Sequence, residues 1–143
     1  MVLPVLMLII VGILTFGRYE NYSSQQEQMA SVAARYASID VNPSSTLTLQ
    51  NYVQAEATGE LGAGSTSVTS KAQVYLYYPT GSSNAVGQPV RACVISTVNL
   101  LPLNLGSLTS AQIVETATMR TEQVATSAQW TVSTSVPSQC PTS

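Results

Sequence analysis

The chain contains no histidine. That removes the side chain best suited to act as a general base near neutral pH, and the commonest metal ligand. A Ser–His–Asp or Cys–His nucleophilic site cannot be built. Charge is also scarce, at 8% of residues, and the five basic side chains, Arg18, Arg35, Lys71, Arg91 and Arg120, are scattered. Nucleic acid would require a basic track to neutralise phosphates, so none is expected as a partner. The seven carboxylates, Glu20, Glu27, Asp40, Glu56, Glu60, Glu115 and Glu122, show no spacing or aromatic platform that singles out a glycosidase-like pair. Gly59, Gly62 and Gly64 lack the Lys-Ser/Thr that completes a phosphate loop, and no Asp/Asn alternation marks a calcium loop. The expectation is a structural or assembly protein, without enzymatic activity, cofactor or metal.

Cysteine is nearly absent as well. Cys93 and Cys140 are the whole supply. Without histidine, two distant thiols cannot furnish four zinc ligands, and a disulfide is the better physical use of the pair. A bond of that kind implies an oxidising compartment. In the loop-entropy description, a closure of this length stabilises a fold by roughly 4 kcal/mol.

What the sequence does have is an uncharged opening, Met1 to Gly17 (MVLPVLMLIIVGILTFG), continued in polar helical register from Arg18 to Ser38. One continuous helix is the expectation. At ~1.5 Å per residue its apolar part spans roughly 25 Å, at the short edge of what crosses a bilayer. Pro4 suits a first helical turn, where its missing N–H would be unpaired anyway. Gly12 lets a neighbouring backbone approach, and Leu6, Ile10 and Phe16 are the apolar positions expected to matter for assembly. Arg18 sets the depth of the helix, since moving a charge into hydrocarbon costs about 2.5 to 3.5 kcal/mol. Beyond it, Tyr22, Met29 and Tyr36 recur every seven residues with Val32 and Ala33 between the last two, which gives the polar half an apolar face. That face is expected to pack on the chain's own remaining residues, with additional contact to a neighbouring copy as the sharper alternative.

Asp40, Asn42 and Pro43 end this helix. Leu49, Tyr52, Val53 and Glu56 predict a second, short one over about residues 47–58, with a strand around Leu47 and Leu49 as the alternative; the three glycines then read as a flexible connection. From there the period changes to two. Residues 67–78 alternate Val74, Leu76 and Tyr78 against Tyr75 and Tyr77, and residues 89–98 alternate Val90, Ala92 and Val94 against Cys93 and Ile95, as a long hairpin would. Residues 112–121 and 128–136 are two more strand candidates, the last with Trp130, Val132 and Val136 facing one way. The expected fold class is α+β: a long N-terminal stalk helix (1–38) packed on a small antiparallel sheet within a β-rich unit (39–143).

The order of motifs resembles the TadE-like pilin proteins of tight-adherence systems, a branch of the type IV pilin group. Leu3-Pro4, the aliphatic run and Phe16-Gly17-Arg18 are similar to that family's membrane motif, and Ala33-Ala34-Arg35 to the small-small-Arg further along its helix. Val90-Arg91 through Leu100-Leu101-Pro102-Leu103, and Thr118-Met119-Arg120-Thr121-Glu122, resemble its later strands. One position departs from the pattern: type IV pilins keep Glu fifth from the mature N-terminus, and Val5 stands there. The usual pairing of that Glu with a neighbouring amine is therefore not carried over.

The resemblance implies a pilin-like fold, an inner-membrane pool, and a helical filament of identical subunits made with a pilus assembly machinery and exposed outside the cell. The expected disulfide puts the N-terminus of the pool in the cytoplasm and the rest of the chain outside. Any surface or host-cell target is unspecified. The rival readings are a minor pseudopilin, and a membrane-anchored surface or periplasmic domain that never polymerises.

Overall fold

A computed structural model describes residues 2–57, 59–65, 67–99, 110–126 and 130–142. The first helix, α1 (Val2–Ser38), is unbroken over 37 residues, close to 55 Å at ~1.5 Å per residue. It stops in a hydrogen-bonded reversal. The Val41 N–H donates back to the Tyr36 carbonyl (3.1 Å) and the Asp40 N–H to that of Ala37 (3.4 Å), with Asp40 in the left-handed region at φ 51°. Asp40 then accepts hydrogen bonds from the Thr126 N–H (2.8 Å) and hydroxyl (2.7 Å), which ties the helix end to the chain leaving the sheet.

Helix α2 (Leu49–Glu56) starts at Thr48, whose hydroxyl accepts from the Asn51 N–H, and buries Leu49 and Val53. The glycine-rich stretch holds a further single turn, α3 (Glu60–Ala63), instead of only a flexible connection. The reason is packing: Leu61 is fully buried, and a Cβ at Gly62 would lie 2.7 Å from the Ala57 and Gln54 carbonyl oxygens, so only glycine fits there.

Among the described residues the sheet has three antiparallel strands in the order β1 (Val68–Tyr77), β2 (Pro89–Asn99), β3 (Ser110–Arg120). The pairings Val74↔Val94, Leu76↔Ala92, Ala92↔Ala117 and Ser96↔Ile113 place one set of alternate residues toward α1. The α+β architecture of a long helix on a small antiparallel sheet is what the sequence predicts. The fourth strand is not formed: residues 130–136 are irregular, and residues 128–129 lie outside the described set, as does the Leu100–Leu103 segment. Ser133 does lie beside β1 and donates its N–H to the Leu76 carbonyl (2.8 Å), but the Leu76 N–H goes to the Ser133 hydroxyl (3.1 Å). The side chain intercepts the next rung, so no ladder propagates. Nor do Trp130, Val132 and Val136 share a face. Trp130 is buried against Tyr78, Val132 is exposed, and Val136 belongs to the opposite side of the sheet.

Two apolar clusters result. The larger lies between α1, α2, α3 and the near face of the sheet, and joins Ala30, Ala33, Ala34 and Ala37 to Leu49, Leu76, Val90, Val94 and Trp130. The four alanines are fully buried, and their small side chains bring the helix backbone close to the sheet. The smaller cluster covers the far face with Tyr77, Cys93, Ile95 and Cys140. There Cys93 and Cys140 form a disulfide spanning 47 residues of sequence, which holds the C-terminal segment across β2. The Tyr77 hydroxyl donates to the Pro141 carbonyl (2.7 Å), and the Arg91 guanidinium donates to the same oxygen (2.6 Å). Burial raises the Tyr77 pKa, with Arg91 acting in the opposite direction; burial and Asp40 both raise that of Tyr78.

Candidate assembly interface

Among the described residues, none covers the lower half of α1. Eleven large apolar side chains from Leu3 to Phe16 are each 44–74% exposed, and they occupy every side of the helix. A helix apolar all round is stable only in an apolar surrounding. Covering these side chains stabilises by on the order of 1 kcal/mol apiece, so roughly 10 kcal/mol in all depends on a cover that the described residues do not provide. Thr15, the sole hydroxyl in the run, donates to the Val11 carbonyl (2.7 Å) and so presents no unpaired donor. By length and composition α1 is the one helix among the described residues able to cross a membrane, and its apolar window is uncovered.

A polar band marks where the helix meets the sheet. The Tyr22 hydroxyl donates to Glu60 Oε2, the Ser23 hydroxyl to Glu115 Oε1 (2.6 Å), and Gln26 Nε2 to the buried Ser96 hydroxyl. Each of these links spans at least 38 residues of sequence, so they fix the rotation of α1 against the rest of the chain. Just below, Arg18, Asn21 and Gln25 edge a small polar recess beside Glu60.

The sequence-selected positions fall into two groups. Pro4, Leu6, Ile10, Gly12, Phe16 and Arg18 are exposed on the uncovered half. Tyr22 and Met29 are buried in the main cluster, and Tyr36 is half-buried with its ring edge-on to Tyr52 at 6.3 Å. The apolar stripe itself is rotated from the one expected: Tyr22, Gln26, Met29, Ala30, Ala33, Ala34 and Ala37 face inward, whereas Val32 is 42% exposed. The inward face is set by small residues, which a search for large side chains passes over. Val32 instead borders an open groove between α1 and α2, with Met29 and Tyr36 on one wall and Tyr52 and Val53 on the other.

Sequence reasoning missed Gln26, Ser96, Glu60 and Glu115. The available signal was that Gln26 stands one turn above Tyr22 and one below Ala30, on the inward stripe. No group of three or more His, Cys, Asp or Glu able to hold a metal ion occurs among the described residues.

Residues 1–35 match the TadE-like protein family. No curated protein and no solved structure matches the chain. The matched segment contains the uncovered apolar run, Arg18 and the polar band at Tyr22, Ser23 and Gln26.

Proposed function

We propose that this chain is a structural subunit of a tight-adherence, type IV-like pilus that polymerises through the lower half of α1. The observation that carries the reading is the apolar run Leu3–Phe16, uncovered on every side at the end of a helix whose other half is locked into a folded unit. In this reading residues 1–38 are the stalk and residues 39–143 the solvent-facing unit. Before assembly the run lies in the inner membrane with the N-terminus inside. The disulfide supports an oxidising location for the rest of the chain. During assembly, helices of identical copies replace lipid around one another. The contact joins different surfaces of successive copies and does not close, so it generates a filament and not a ring.

Extracellular filaments sheared from the native cell, imaged and digested for mass spectrometry, test this. The chain should be their dominant subunit. A trace amount would point to a priming or tip role, and a chain found only as a detergent-soluble monomer in cells whose filaments persist after its deletion would overturn the proposal.

A further inference from the structure

We propose that the groove between α1 and α2 receives α1 of a second copy of this chain, running parallel, with Phe16 of that copy seated against Val32. The inference rests on the assembly reading above and specifies its partner segment and register. The groove is apolar at its centre, where Met29, Val32, Tyr36, Tyr52 and Val53 meet, and it opens to solvent along α1 itself. The same chain carries an uncovered apolar helix, on which Phe16 is the largest exposed side chain at 65%. One feature therefore lacks an occupant and the other lacks a cover.

Charge and shape select the register. At about 100° per residue, Tyr36 lies ~40° to one side of Val32 and Arg35 ~60° to the other. On the incoming helix, Glu20 lies ~40° to one side of Phe16 and Tyr19 ~60° to the other. Parallel helices facing each other see these sides reversed. Glu20 of the second copy therefore comes to Arg35, and its Tyr19 comes to Tyr36. The heights agree: Glu20 is four residues above Phe16 and Arg35 three above Val32, a mismatch of only ~1.5 Å. Glu20 and Arg35 are both exposed, and among the described residues neither side chain has a partner within the chain. One turn below Phe16, Gly12 of the second copy arrives beside Met29. A Cβ at Gly12 would meet nothing within 4 Å in its own chain, so the fold of a single copy does not require that glycine; close approach by a neighbour does. Successive copies are then offset by sixteen residues of helix, or about 24 Å.

The test uses the full chain in its native cell. Glu20→Arg and Arg35→Glu should each lower the filament yield about tenfold or more by setting like charges opposite each other, while the combined exchange should return it to within about threefold of the original. Both positions are exposed, and equal amounts of disulfide-linked chain in the membrane fraction show that supply and folding are intact. A benzophenone side chain at position 16 should crosslink within filaments to the peptide containing Val32. Single variants that assemble normally, a double exchange as depressed as the singles, or crosslinks to another protein would overturn the groove assignment. The two readings fail separately: absence of the unsubstituted chain from filaments defeats the assembly reading, whereas its presence without charge-exchange recovery defeats only the groove.

Discussion

The two halves of α1 share one backbone and one unbroken hydrogen-bond ladder, yet only the less apolar half buries side chains. From Leu3 to Phe16 large aliphatic side chains are uncovered on all sides; from Tyr22 to Ala37 mostly small ones are buried on a single side. The lower half carries free energy that only an external apolar surrounding can release. The upper half has its inward face packed on the sheet and α2, with Val32 left exposed at the groove. Between them, the hydrogen bonds of Tyr22, Ser23 and Gln26 fix the angle at which the lower half projects. The difference teaches that hydrophobicity along a helix does not locate its core: the more apolar half is the one outside.

The largest expected effect comes from breaking the lower half. Leu6→Asp or Ile10→Asp places a charge in the apolar run at a cost of about 2.5 kcal/mol or more per helix in hydrocarbon, and the cost recurs at every copy of a filament. Filament yield should fall below detection. The melting temperature of the folded unit should stay unchanged, because both side chains are exposed in the single chain. Normal filaments from either variant would remove the distinction between the halves.

The upper half should respond in reverse. Ala33 is fully buried, and Ala33→Leu should destabilise by about 1–3 kcal/mol through overpacking, measured by thermal or denaturant unfolding. The matched exchange Val11→Leu, at a position 44% exposed, should leave that unfolding curve where it was. Equal shifts at the two positions would mean that the lower half is packed against the chain after all.

The smallest effect sharpens the same contrast through pH. The Tyr77 pKa is raised by burial, so the folded chain holds this proton to higher pH than the unfolded one. Its contribution to stability is complete below about pH 10, the ordinary tyrosine value, and is lost as pH rises through the folded pKa. Tyr77→Phe should flatten the decline in denaturant midpoint above that pH, at the cost of the hydrogen bond to Pro141. An unchanged slope would assign the alkaline loss to Tyr78 or another group. The uncharged run from Leu3 to Gly17 holds no group that titrates in this range.

Much of this was legible before the structure. Seventeen residues without charge followed by a polar helix give α1, and alternation at Val74 and Leu76 and at Val90, Ala92 and Val94 gives the hairpin with the faces the structure shows. Those patterns are periodic and local, so they survive without knowledge of neighbours. The run at Trp130 misled for the same reason in reverse. Its alternation is real, but a strand needs a partner edge, and the Ser133 hydroxyl takes the place of the next rung. The candidate site was half visible: the apolar positions could be selected by type, but Gln26, an amide in a helix rich in glutamine, carries no mark of burial until Ser96 is placed opposite it.

The sequence alone determined that this chain has a helix with one uncharged apolar half, a sheet with one face for that helix, a single pair of cysteines and no histidine, because composition and periodicity act residue by residue. The tertiary structure decided which side of the helix faces inward, where the uncovered half begins, and that Val32 is left beside a groove. Those outcomes depend on contacts between residues far apart in the chain, and rotation about a helix axis is set by what lies opposite, which no local pattern contains.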